Sequence, residues 1–127
     1  MSCRQIRRLN IRLKRAYEAP SAEDGLRVLV DRLWPRGLAK SEAAIDRWLK
    51  EVAPSSELRR WFGHDPRKWD QFRRKYQNEL SGRGDLLKEL RQAAREGPLT
   101  LVYSARDQEH NQAVVLRDVL ERAPPHG

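Results

Sequence analysis

The sequence predicts an α/β domain: a small, three-stranded, mainly parallel sheet packed by about five helices. Three observations carry this. Two short β-branched apolar runs, Leu26-Arg27-Val28-Leu29-Val30-Asp31 and Leu99-Thr100-Leu101-Val102-Tyr103, read as strands buried on both faces. A long stretch between them is patterned at the helical period. A chain of 127 residues fits one domain, 1–127, large enough to bury a core without cross-links. Charged residues make up 35% and hydrophobic ones 39%, which implies a thin core beneath a charged surface.

Taken in order, Leu9, Ile11 and Leu13 alternate with Asn10 and Arg12, the period of a half-buried first strand over 9–13. Ala19 to Gly25 has turn chemistry, and the second strand follows. The short link between these strands is unusual for a parallel crossover, so their direct pairing is the least constrained part of the topology. Ser41 opens a helical pattern in which Ile45, Trp48, Leu49 and Val52 fall at i, i+3, i+4 and i+7, ended by Pro54. Ser55 or Ser56 caps a short helix carrying Leu58, Trp61 and Phe62, and Gly63 stops it. Asp65-Pro66 is a helix start. Trp69, Phe72, Tyr76 and Leu80 form the apolar stripe that follows. Gly82 and Gly84 break the chain before a helix with Leu86, Leu87, Leu90 and Ala94, ended at Gly97-Pro98. After the third strand, 99–103, comes a turn over 104–107, with Asp107 as the expected cap of a last helix carrying Ala113, Leu116 and Leu120. Residues 123–127 read as a frayed tail.

Several function classes drop out. Cys3 is the only cysteine, so neither an intrachain disulfide nor a cysteine metal site is expected, which fits a reducing, cytoplasmic setting. No apolar run approaches membrane-spanning length, and no secretory h-region follows the basic N-terminus. The three histidines are too scattered for a metal motif. Neither a P-loop nor a dinucleotide glycine fingerprint is present, so no cofactor is expected. The formal charge of +8 attracts anions of every kind, from nucleic acid to phosphorylated metabolites.

The chemistry-bearing segment is Asp31-Arg32-Leu33-Trp34-Pro35-Arg36-Gly37, directly after a buried strand. In open α/β sheets, ligands bind beyond the strand carboxyl ends. Arg32 and Arg36 offer guanidinium forks for a phosphate or carboxylate, and Trp34 offers a flat apolar face. The segment Ser104 to Asn111 leaves the third strand and enters a helix, whose start favours anions. If the strands are parallel, both loops share one edge of the sheet. Asp31, Ser104 and Asp107 are then the candidate acceptors or bases, and Arg32, Trp34, Arg36 and Asn111 the candidate ligand contacts. Each residue also has a purely structural reading: Trp34 as a core plug, Asp107 as a helix cap, Arg36 as a solvated charge, Asp31 and Arg32 as loop-orienting groups. A Ser104–His110–Asp31 triad lacks the nucleophile-elbow pattern around Ser104. The expectation is a site for an anionic small molecule, catalysis left open; the alternative is a nucleic-acid-binding module using the basic surface, whose affinity would fall steeply with salt.

These blocks carry a resemblance. Lys14-Arg15-Ala16-Tyr17-Glu18, Asp24 to Gly37, Ile45 to Trp48, Pro54 to Arg59 and Leu99 to Asn111 together resemble the YeaO-like family, a branch of a bacterial superfamily known as a domain of unknown function. The resemblance spans nearly the whole chain, and Val30 to Gly37 is its most specific block. It implies a compact α/β domain and no established activity. Longer relatives carry cysteine signatures after the final strand; Ser104 and His110 occupy that region here, so the resemblance implies no thiol chemistry. Some relatives carry labels as transcriptional regulators, but no helix-turn-helix pattern supports such a role in this sequence.

Overall fold

The computed structural model describes residues 9–122. Cys3, the basic N-terminal run and the expected frayed tail, 123–127, lie outside the described residues. Among the described residues four strands form one parallel sheet: β1 (Ile11–Arg15), β2 (Leu26–Leu29), β3 (Arg47–Trp48) and β4 (Leu99–Tyr103), in the order β1-β4-β2-β3. Five α-helices among the same described residues accompany it: α1 (Lys40–Ala43), α2 (Ser56–Phe62), α3 (Trp69–Leu80), α4 (Gly84–Glu96) and α5 (Gln112–Glu121).

The α/β class and the parallel sheet are as expected, but the sheet has four strands, not three. The extra strand lies in the stretch read as a helix over 41–52. There the chain forms only one helical turn, α1, then leaves it through Ala44 in the left-handed region (φ 50°). Arg47 and Trp48 then pair with Val28 and Leu29 of β2. Asp46 fixes the junction: its Oδ2 accepts the Arg27 N–H at 2.8 Å, and its own N–H donates to the Arg27 carbonyl at 2.9 Å. Ile45 and Trp48 pack with Ala16, Leu29 and Val102, whereas Leu49 and Val52 join the main core, so their helix-like spacing is coincidental. β1 begins and ends two residues later than its alternation suggested.

β4 explains the short link between the first two strands. They do not pair with each other; β4 lies between them, with Leu99 opposite both Ile11 and Leu26. All five β4 residues are buried, as a central parallel strand requires. Gly25, at φ +64°, admits the close approach on which this depends. A Cβ there would lie 2.3 Å from the Pro98 carbonyl oxygen, which accepts the Leu26 N–H at 3.0 Å.

The two faces of the sheet are covered differently. Val28, Val30, Leu101 and Tyr103 pack with the apolar stripes of α2 to α5 in the main core, including Phe72, Tyr76, Leu90 and Leu116. Ala16, Leu29 and Val102 face the other way and are covered by Trp34, Leu38, Ile45 and Trp48. With every strand parallel, the segments after β1, β2 and β4 all emerge at one edge.

Candidate functional site

A cleft of about 750 Å³ opens at that edge. Both loops singled out in the sequence line it: Asp31 to Arg36 after β2, and Ser104 to Asn111 after β4. Residues from α2 and the start of α5 complete the wall.

Asp31 forms part of its floor. Trp48 Nε1 donates to the Asp31 carbonyl at 2.7 Å, fixing the backbone. Asp31 Oδ2 accepts from the Ser104 N–H at 2.9 Å and the Ser104 hydroxyl at 2.6 Å. Oδ1 accepts from the Gln112 side-chain amide. Burial pushes the Asp31 carboxyl above the ordinary aspartate range. The Ser104 and Gln112 donors, and the charge of Arg59, pull it down without cancelling the effect.

Arg32 is directed into the protein. Its Nε donates to the Pro54 carbonyl at 3.1 Å and its guanidinium also reaches the Ala53 carbonyl at 3.3 Å, tying the loop to the segment before α2. Trp34 is half-buried; its Nε1 donates to the Leu38 carbonyl at 2.7 Å and its ring packs edge-on against Trp48 with centroids 5.4 Å apart. Arg36 is exposed, and among the described residues only its backbone is held, by the Tyr17 hydroxyl donating to its carbonyl at 2.9 Å. The loop after β4 is braced by Arg15, which donates to the carbonyls of Ala105 (2.9 Å) and Ser104 (3.3 Å).

Asp107 does not cap α5, because the helix starts four residues too late for its side chain to serve. It caps the turn before it, with Oδ1 accepting from Glu109 N–H (2.9 Å) and His110 N–H (3.0 Å). Its Oδ2 meets His110 Nδ1 at 2.9 Å. The Glu109 N–H, outweighing the opposing effect of burial, and the His110 contacts hold its carboxyl below the ordinary range. Asn111 is the α5 cap: Oδ1 accepts the Val114 N–H at 3.2 Å and Nδ2 donates to the Asp107 carbonyl at 2.9 Å. Among the described residues His110 bonds to Asp107, not to Ser104, so no Ser-His-Asp relay is assembled.

Sequence reasoning missed four contributors. Arg59 and Arg60 stand exposed on α2, Arg106 stands exposed after β4, and Gln112 lies at the start of α5; all line the cleft. Their signal was weak, since surface arginines on a short helix usually face only solvent. Among the described residues no group of three or more His, Cys, Asp or Glu could hold a metal ion.

Fold and cleft together define a parallel-sheet α/β domain with a basic depression over its strand carboxyl ends. The chain belongs to the family described as the "Inactive DUF488-N3 subclade", whose model matches residues 10–125. It is 45% identical over 112 residues to Uncharacterized protein YeaO of Escherichia coli, covering 88% of this chain and 97% of that protein. It is 40% identical over 115 residues to Uncharacterized protein Mb3100c of Mycobacterium bovis, covering 91% of this chain and 97% of that protein. Uncharacterized protein Rv3073c of Mycobacterium tuberculosis matches to the same extent. No solved structure matches the chain.

Proposed function

We propose that this protein binds a small anion, phosphate- or carboxylate-bearing, in the cleft, and that it does so without catalysing its conversion. One observation carries the reading. Five arginines line the cleft (Arg32, Arg36, Arg59, Arg60 and Arg106) against two aspartates, Asp31 and Asp107. Four of the five, all but Arg32, are exposed, and among the described residues their guanidinium groups bond to no other residue. Their like charges repel one another, and a guest of opposite sign relieves that repulsion.

Two features argue for binding over turnover. The Ser104 hydroxyl donates a hydrogen bond to Asp31, and among the described residues no histidine bonds to it. Asp31 is engaged on both oxygens. The description of the family as inactive accords with this. The single cysteine of the sequence fits a cytoplasmic setting, and no helix among the described residues is long and apolar enough to cross a membrane.

The test is a thermal-shift series with inorganic phosphate and pyrophosphate against chloride at matched ionic strength, on the parent and on Arg36→Ala. An anion that binds the folded state raises the melting temperature by an amount that grows with the logarithm of its concentration above Kd. The reading expects a rise in the parent, a smaller one in the variant, and equal melting temperatures without anion. No rise in the parent, or equal rises in both, overturns it.

A further inference from the structure

The same cleft has a second character that the arginines do not explain. Among the described residues, two large hydrophobic side chains stand exposed: Leu33, 62% exposed, and Tyr17, 46%. Both line this cleft. Neither is exposed because its backbone is loose. The Tyr17 hydroxyl donates to the Arg36 carbonyl at 2.9 Å, and Leu33 sits between Arg32 and Trp34, each bonded through its side chain to a backbone carbonyl. Behind them, Pro54, Phe62 and Phe72 add buried apolar wall. A site for inorganic anions alone has no use for apolar side chains held open to water, whereas a ligand with an apolar body removes their surface from solvent.

The charge sets a second condition. Four exposed arginines (Arg36, Arg59, Arg60 and Arg106) less two aspartates leave two positive charges facing a space of about 750 Å³. A single monoanion satisfies one guanidinium fork and leaves the remaining arginines facing each other. The volume is far larger than one phosphate and within the range of sites for whole metabolites.

Resting on the anion-binding reading above, we infer that the ligand is an amphipathic polyanion: two or more phosphate or carboxylate groups held by the arginines, joined to a flat apolar ring held against Leu33 and Tyr17. Nucleoside diphosphates are the probe of this class. The polyanionic end lies toward Arg36, Arg59, Arg60 and Arg106, and the ring lies at the lip where Leu33 and Tyr17 stand.

Isothermal titration of the full chain with pyrophosphate, AMP and ADP, without divalent cations and at fixed ionic strength, separates the terms. ADP is expected to bind about tenfold more tightly than either pyrophosphate, which lacks the ring, or AMP, which lacks the second phosphate. Leu33→Ser removes an exposed side chain, so it should fold as the parent does. It should bring ADP down to the pyrophosphate level and leave pyrophosphate itself unchanged. Pyrophosphate binding as well as ADP in the parent, or Leu33→Ser weakening both alike, overturns the apolar half while the anion site stands. AMP equal to ADP overturns the polyanion half. Failure of all three ligands to bind removes the anion site and the inference with it.

Discussion

Strand β2 has a buried aspartate beyond each of its ends, and the two are built in opposite ways. Asp24, before the strand, is 4% exposed; Asp31, after it, is 9% exposed. Asp24 is surrounded by cations. Its carboxylate accepts from Arg27 Nη1 at 2.6 Å and from Lys14 Nζ at 3.1 Å, and the Ser21 N–H adds a third bond at 3.0 Å. Arg27 is itself buried and uses its other donors on the Ala43 and Ala44 carbonyls. Among the described residues Asp31 receives only neutral donors, from Ser104 and Gln112. Burial raises both carboxyls, but at Asp24 the Lys14, Ser21 and Arg27 contacts win and the net shift is downward, whereas at Asp31 burial wins. The lesson is that burial of a charged residue does not mark a site. One end of the sheet satisfies its charges internally and locks the crossover; the other leaves exposed arginines beside a carboxyl held by neutral donors, which is where a guest has something to contribute.

The comparison breaks most visibly at Arg27. Arg27→Ala removes the shortest of the Asp24 ion pairs, leaving Lys14 and the Ser21 N–H to hold the carboxylate, and orphans two carbonyls, so unfolding in denaturant should show a loss of about 3 kcal/mol. Asp31→Asn should be far milder, within about 1 kcal/mol at neutral pH. The amide removes a charge that burial disfavours, and a flipped Gln112 can offer its oxygen to the new Asn nitrogen. Equal losses for the two variants would erase the distinction between the ends.

The pH response sharpens it, because the two groups act with opposite sign. Asp24 is held below its ordinary value, so its contribution is present above the unfolded-chain pKa and is lost as pH falls through the folded one. Asp31 is held above, so its contribution is whole below the unfolded value and lost as pH rises through the folded one. Between the ordinary aspartate value and the raised value of Asp31, acidification should therefore stabilise the parent through this group. Denaturant midpoints across that window should show a smaller gain on acidification, or a larger loss, in Asp31→Asn than in the parent. The smallest effect on stability belongs to Arg36→Ala, within about 0.5 kcal/mol, because the Tyr17 hydroxyl holds the Arg36 carbonyl, not its side chain. Chemical denaturation of the anion-free variant checks this.

Much of the cleft was legible in the sequence and much of its working was not. The run from Asp31 to Gly37 announced itself as a loop after a buried strand, and the run from Ser104 to Asn111 as its partner, because apolar strand patterns and turn residues are local signals. The fate of each arginine was not local. Arg32 reads like Arg36, yet one donates to the Pro54 carbonyl and the other stands in solvent. Which of them is free depends on where the segment before α2 passes. The same limit hid β3: two residues cannot display a strand period, and Ile45, Trp48, Leu49 and Val52 imitate a helix although they serve two different apolar clusters. Arg27 was the missed opportunity. An arginine inside an otherwise apolar run foretells a buried partner, and Asp24 lay three residues away.

The most direct measurement follows both ends of β2 in one experiment. Pyrophosphate is titrated into isotopically labelled protein while the arginine side-chain Nε–Hε resonances are recorded. The account predicts saturable shifts at Arg36, Arg59, Arg60 and Arg106, with Arg27 unmoved at the far end of the sheet. Shifts spread evenly over all arginines, shifts centred on Arg27, or none at the cleft would contradict it.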